Sequence, residues 1–296
     1  MSSVVAVTRP NFLPLAVFIV LAAVAAAFYA HLTFNALNAI LVLIAAVLLH
    51  ASVNAYNNYF DYQSKIDHRT LKTPFSGGID LIVKGQLKPA TALAVASACL
   101  LGAALIGAYF LEQYFLLLLP IVIYGAVAII TYSPVLSKVP ALSEILAGTG
   151  FGLMGLGAYI TQTGVVDATG IAILVPISIL VALLLFLNEF PDCEVDEGAG
   201  RRHLVILLGK RKAAWVYVVS LLAVYVCILA SVMAKTAPLT VLVALATCPL
   251  AYKAGRTALQ NYDRTAQLIP ALGMNVIVIL STILLLSVGF ALGAYL

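Results

Sequence analysis

The feature that most constrains this chain is a succession of long apolar runs with almost no charge inside them. A bilayer core asks for about 20 consecutive apolar residues per helix. Nine such runs can be read, at roughly 12–30, 35–58, 89–110, 114–132, 141–163, 169–190, 213–234, 237–252 and 268–294. They are continuous rather than alternating, which speaks for helices and against the strands of a β-barrel. Of the 296 residues, 63% are hydrophobic and 9% charged, whereas soluble domains carry about 25% charge. The expectation is an all-α polytopic membrane protein: nine transmembrane helices in one domain over residues 1–296. The first run ends in AAVAAAFYA, which looks like a cleavage region. It is long for a signal segment and only Arg9 precedes it, so it reads as a retained span.

Charge placement then orients the bundle. Fifteen of the 16 Lys and Arg residues fall in the N-terminal tail or in the connections after the second, fourth, sixth and eighth runs; Lys235 is the exception. Cytoplasmic loops hold the basic excess, so the N-terminus is expected in the cytoplasm and the C-terminus outside. The net charge of +4 is thereby a topology signal. No aromatic-plus-basic motif suggests nucleic acid. Cys99, Cys193, Cys227 and Cys248 form no CxxC pair and read as buried thiols without redox or metal work.

Two connections expected on the cytoplasmic side are long, at about 59–88 and 191–212, and eight of the 12 acidic residues lie in or beside them. Polar loops facing one compartment are where function concentrates. The second run ends in NNYFDYQSKID and the sixth in LNEFPDCEVD, so Asn57–Asp61 and Asn188–Asp192 share an Asn-x-x-x-Asp spacing. The two motifs lie four runs apart on helices running the same way, a weak parallel repeat unlike the inverted repeats of many transporters. Residues four apart share a helix face, which joins Asn57 to Asp61, with Asp67 two turns or a loop later. Asn188, Asp192 and Asp196 follow i, i+4, i+8, but Pro191 interrupts them. It predicts either a kink or a motif on a frayed helix end.

Facing carboxylates repel, and burying them without partners costs several kcal/mol each. Mg²⁺ removes that problem, because it takes oxygen ligands and is held by one or two carboxylates plus substrate phosphates. Two acidic clusters beside basic loops therefore point to a diphosphate held through Mg²⁺ and completed by Lys or Arg contacts.

Over essentially its whole length the chain resembles the UbiA superfamily of intramembrane prenyltransferases. NNYFDYQSKID looks like the first Asp-rich motif of that family and NEFPDCEVDEGAGRRHLVILLGK like the second; TYSPVLSK resembles its Tyr-Ser/Thr-Pro stretch. Within the superfamily, RTLKTPFSGG and GLGAYITQTG, with Lys65 eight after Asn57, are similar to the 1,4-dihydroxy-2-naphthoate polyprenyltransferases of menaquinone synthesis. Asn58 departs from the pattern, standing where many members have Asp. His203 stands where a small hydroxyl residue is common, and TRPNFL matches the family's N-terminal Arg-Pro element only loosely.

The resemblance implies a site. Asp61, Asp67, Asp192 and Asp196 would hold Mg²⁺ and activate a polyprenyl diphosphate, and Asn57 and Asn188 would orient metal or phosphate. Lys138, Arg201 or Arg202 would add positive charge to the leaving group, or serve only as topology charges. Tyr132 or Tyr56 would face the allylic cation with a ring, or sit as interfacial aromatics. The aromatic acceptor then attacks, and in the naphthoate reaction CO₂ is lost from the prenylated carbon. Such an enzyme sits in the cell membrane with its active site facing the cytoplasm. Its partners are the diphosphate, the acceptor and the lipid bilayer. Rival readings are a 4-hydroxybenzoate enzyme, an archaeal ether-lipid synthase and a cation-coupled transporter. The transporter expects ionisable groups near the bilayer midplane, where these spans are nearly free of charge, Glu144 coming closest. His31 and His50 read as structural or interfacial, His68 as solvated, Gly77–Gly78 as a turn, and GTGFGLMGLGA as a helix-packing stripe or else as room for an acceptor ring.

Overall fold

The computed structural model describes residues 2–68, 73, 75 and 79–296. Most of the RTLKTPFSGG stretch, including Gly77 and Gly78, lies outside them. The described residues form ten α-helices: α1 (Ser3–Ala6), α2 (Pro14–His31), α3 (Ala36–Gln63), α4 (Pro89–Thr131), α5 (Leu142–Thr163), α6 (Ala168–Gly198), α7 (Leu204–Leu208), α8 (Lys210–Met233), α9 (Cys248–Asn261) and α10 (Thr265–Gly293). Among these residues there is no strand.

The nine apolar runs fall on this helical framework. Among the described residues, six helical stretches are long and apolar enough to cross a membrane by length and composition, one of them the 43-residue α4. That helix contains the third and fourth runs, hinged where Tyr114 leaves helical geometry at φ −131°, ψ 41°. The eighth run opens as a 3-10 segment, Leu239–Thr247, before α9 takes over. Large apolar side chains such as Leu101, Leu105, Leu116, Val219 and Leu222 stand exposed on the outside of the bundle, as lipid-facing positions do.

Helix ends are set by local chemistry. Asn35 caps α3 by accepting from Asn38 N at 3.0 Å, and Asp167 caps α6 by accepting from Gly170 N at 2.9 Å. The glycine stripe of α5 packs on α6: a Cβ on Gly148 would lie 2.4 Å from Ser178 O, and one on Gly152 3.1 Å from Leu174 O. Gly148 and Gly152 thus serve packing and fix α5 against the helix that carries the second acidic motif, whereas Gly150 and Gly157 line an apolar space.

Candidate active site

Both acidic motifs line one polar cavity of about 130 Å³ at the ends of α3 and α6. On the first side, Asn57 and Asp61 lie one turn apart near the end of α3. The helix stops at Gln63, and Lys65 adopts a left-handed φ of 62° that reverses the chain. A 3-10 turn, Ile66–His68, then returns Asp67 to the cavity wall, 6% exposed. On the second side, α6 neither stops nor frays at Pro191 but runs on to Gly198. Pro191 lacks only the N–H that would have reached residue 187. Asn188, Asp192 and Asp196 therefore share a face and all line the cavity. Of the two expectations at Pro191, a kink or a frayed end, the frayed end is corrected here.

Arg201 joins the two sides. Gly200 turns the chain at φ 83°, and Arg201 N donates to Asp196 O at 2.9 Å. The guanidinium then donates from Nη1 to Asp196 Oδ1 at 3.1 Å and from Nη2 to Asp61 Oδ1. Burial opposes its charge, but Asp61 and Asp196 outweigh burial and hold its pKa above the ordinary arginine value. A cation bridging two helices' carboxylates is what the repulsion argument requires.

Arg9 enters the site from outside both acidic motifs. It has a φ of 51°, lines the cavity and donates from Nη2 to Asn58 Oδ1 at 2.9 Å. Burial lowers its pKa, while nearby Asp61, Asp67 and Asp192 work the other way. Asn58 turns out to be a clamp for the N-terminal segment: its Nδ2 donates to Val7 O at 3.1 Å and Asn54 O at 2.8 Å. The missing carboxylate at position 58 thus costs the cavity nothing. The loose TRPNFL match was the signal that could have found Arg9.

Other expected residues divide. Tyr132 lines the cavity, and Asn57 Oδ1 accepts from Ser133 Oγ at 3.1 Å. His203 caps α7 through Nδ1, which accepts from Ile206 N at 3.4 Å, and its Nε2 lies 3.4 Å from Asp196 Oδ2. Glu189, another cavity carboxyl, lies 3.7 Å from His203 Nδ1. Glu144 accepts from Ser143 Oγ at 2.7 Å and Leu204 N at 2.6 Å, tying α5 to α7. Three expected residues are not brought to the cavity. Lys138 and Arg202 are exposed, and Tyr56 OH pairs with Ser97 Oγ at 3.1 Å. Arg202 contributes its backbone instead, N–H to Ser137 O at 3.2 Å.

The donor set suits Mg²⁺. Four aspartates supply hard oxygens, and Asn188 Oδ1 is buried without a hydrogen-bond partner among the described residues. Among those residues no three His, Cys, Asp or Glu side chains gather into a metal cage. Mg²⁺ asks for less, one or two carboxylates with phosphate oxygens and water completing its shell.

The polar cavity adjoins an apolar chamber of about 390 Å³ walled by residues such as Val42, Phe110, Leu118, Phe151, Met154 and Leu184. Arg9, Asn57, Phe75, Tyr132, Leu185 and Asn188 line both spaces. An anionic head and a long apolar tail fit such a pair of compartments.

The chain belongs to the UbiA prenyltransferase family, whose model matches residues 16–279. It is a membrane prenyltransferase of that family. It is 26% identical over 261 residues to the 1,4-dihydroxy-2-naphthoate octaprenyltransferase of Bacillus subtilis, covering 86% of this chain and 81% of that one. To the Haemophilus influenzae protein of the same name it is 30% identical over 236 residues, covering 76% and 72%. Among solved structures, a UbiA homologue from Aeropyrum pernix K1 superposes with a TM-score of 0.72 at 20% identity, covering 94% and 97%. A homologue from Archaeoglobus fulgidus, bound to GPP and Mg²⁺, gives 0.60 at 18% identity, covering 97% and 100%.

Proposed function

We propose that this prenyltransferase moves a polyprenyl group from its diphosphate to 1,4-dihydroxy-2-naphthoate, releasing diphosphate and CO₂, on the cytoplasmic side of the cell membrane. The observation that carries the reading is the shared wall between a carboxylate-lined polar cavity and an apolar chamber. The diphosphate lies in the first and the prenyl chain in the second, so the allylic C1 falls at their junction, beside Tyr132. The names of the two curated relatives support the naphthoate acceptor.

Asp61, Asp67, Asp192 and Asp196 would hold Mg²⁺, which when bound neutralises the leaving diphosphate. Asn57 and Asn188 orient the head group through their amides. Arg201 and Arg9 offer N–H donors aimed at charge that grows as the C1–O bond breaks. The electron pair of that bond leaves with the diphosphate. The Tyr132 ring faces the resulting cation, and the apolar wall keeps water from it. The acceptor ring then forms the new C–C bond at its carboxylated carbon, and the carboxylate departs as CO₂. No protein nucleophile is needed.

The test is purified protein with geranylgeranyl diphosphate, Mg²⁺ and either 1,4-dihydroxy-2-naphthoate or 4-hydroxybenzoate. Diphosphate and CO₂ release with the naphthoate alone is the expected result, abolished by EDTA and restored by Mg²⁺. Release only with the benzoate would replace the acceptor. Solute uptake into vesicles without diphosphate release would replace the reaction.

A further inference from the structure

Several basic residues of the bundle hold a carboxylate, as Arg201, Lys84 and Lys210 do. Arg211 and Lys212 in the first turn of α8, and Lys253 and Arg256 on α9, are exposed and form no ion pair among the described residues. Topology accounts for basic residues in connections, but Lys253 and Arg256 are carried inside a helix. That helix packs along α8: a Cβ on Gly255 would lie 3.1 Å from Val218 Cγ2. Val218 lies about 12 Å along α8 from Lys210, at 1.5 Å per residue. Arg256 therefore stands beside the interior of a helix that is long and apolar enough to cross a membrane.

The seam between α8 and α9 combines three features. First, α9 turns Ala251, Ala254, Gly255 and Ala258 inward and leaves Tyr252, Lys253 and Arg256 outside. Second, Arg211, Trp215, Val218 and Leu222 follow one another at helical spacing on the side of α8 that meets Gly255. Trp215 is 58% and Tyr252 71% exposed, and such amphipathic rings settle at headgroup level. Third, Leu222, Val226 and Leu229 continue outward as an exposed apolar stripe. A cation at such a depth is costly unless its long stem carries it to the interface or an anion meets it there. Charge, aromatic level and hydrocarbon stripe together fit one chemistry, a phosphate that carries acyl chains. None of these side chains lines either cavity.

We propose that an anionic phospholipid seats its headgroup in the seam between α8 and α9, its phosphate between the guanidinium groups of Arg211 and Arg256 and an acyl chain along Trp215 and Leu222. Guanidinium forks match phosphate oxygens. Basic residues at an anionic membrane surface are each worth about fivefold in affinity. The site stands apart from prenyl transfer and does not depend on that reading.

The test releases the full chain from nanodiscs of equal phosphatidylglycerol and phosphatidylcholine and reads retained lipid by native mass spectrometry, beside a thermal melt in each pure lipid. The unaltered protein is expected to retain phosphatidylglycerol and to melt higher in it than in phosphatidylcholine. Arg211→Gln and Arg256→Gln should each lower phosphatidylglycerol retention about fivefold. Arg256→Lys should lower it less, because the charge stays and only the fork is lost. Lys88→Gln makes the same change of charge at the exposed start of α4 and should leave retention unchanged. The melt in phosphatidylcholine shows that each variant folds. Equal losses in all three glutamine variants would mean diffuse attraction to any basic surface and would overturn the proposal. Equal retention of the two lipids would overturn it too, as would retention that Arg211→Gln and Arg256→Gln leave untouched.

Discussion

The two ends of the bundle both carry carboxylates, and they use them in opposite ways. At the end holding Asp167, polar capacity is spent internally. Asp167 accepts from Gly170 N at 2.9 Å and from Tyr159 OH at 2.8 Å, and pairs with His31 Nε2 at 2.7 Å. Nearby, Asn35 N donates to Gln162 Oε1 at 2.8 Å and Asn38 Nδ2 to Thr161 O at 2.8 Å. At the end holding the two acidic motifs, capacity is left over. Asn188 Oδ1 and Arg9 Nε are buried without hydrogen-bond partners among the described residues. Satisfied polar groups hold a fold; surplus ones wait for a ligand.

The largest effects should therefore come from the surplus end and fall on activity. Asp61→Ala and Asp192→Ala are each expected to lower turnover by about 10³-fold, the scale of losing one preorganised electrostatic group. The fold should survive Asp61→Ala because Arg201 still pairs with Asp196. Diphosphate release measured beside a thermal melt separates the two, and near-normal turnover in both variants would break the contrast. Next in size, Arg201→Ala should cost about 10²-fold in turnover, and Arg201→Lys should recover only part of it. An ammonium cannot reproduce the forked contact to two carboxylates.

The satisfied end should respond in stability. Asp167→Ala removes a helix cap and is expected to cost about 1 kcal/mol, seen as a lower melting temperature with turnover per folded molecule unchanged. Lost turnover at full stability would erase the distinction between the ends. The smallest effect is acidic. Burial opposes the Asp167 carboxylate, but Gly170 N–H, His31 and Tyr159 together hold its pKa below the ordinary aspartate value. Its contribution is thus complete above about pH 4 and is lost as pH falls through the lower folded value. The melting-temperature gap between the unaltered protein and Asp167→Asn should narrow as pH falls below that value.

Much of this was legible from local rules. Apolar run length placed the helices, and four-residue spacing placed Asn57 with Asp61 and Asn188 with Asp192. What escaped depends on distant contacts. Pro191 reads locally as a kink or a frayed end, yet α6 continues because the proline removes one bond and its neighbours keep theirs. Lys138, Arg201 and Arg202 look equivalent in sequence, since topology alone explains basic loops. Only the turn at Gly200 aims Arg201 inward and leaves Arg202 outside. Arg9 depends on Asn54 and Asn58 of α3 holding a segment about 50 residues away, which no local pattern announces.

The central claim is that the two acidic motifs act on one diphosphate. A double-mutant cycle tests it most directly: affinity for a non-reacting prenyl thiodiphosphate with Mg²⁺, measured for the unaltered protein, Asp61→Asn, Asp192→Asn and the pair. One shared site predicts strong coupling, with the double variant losing little more affinity than the worse single one. Losses that simply add would mean two independent sites and would contradict it.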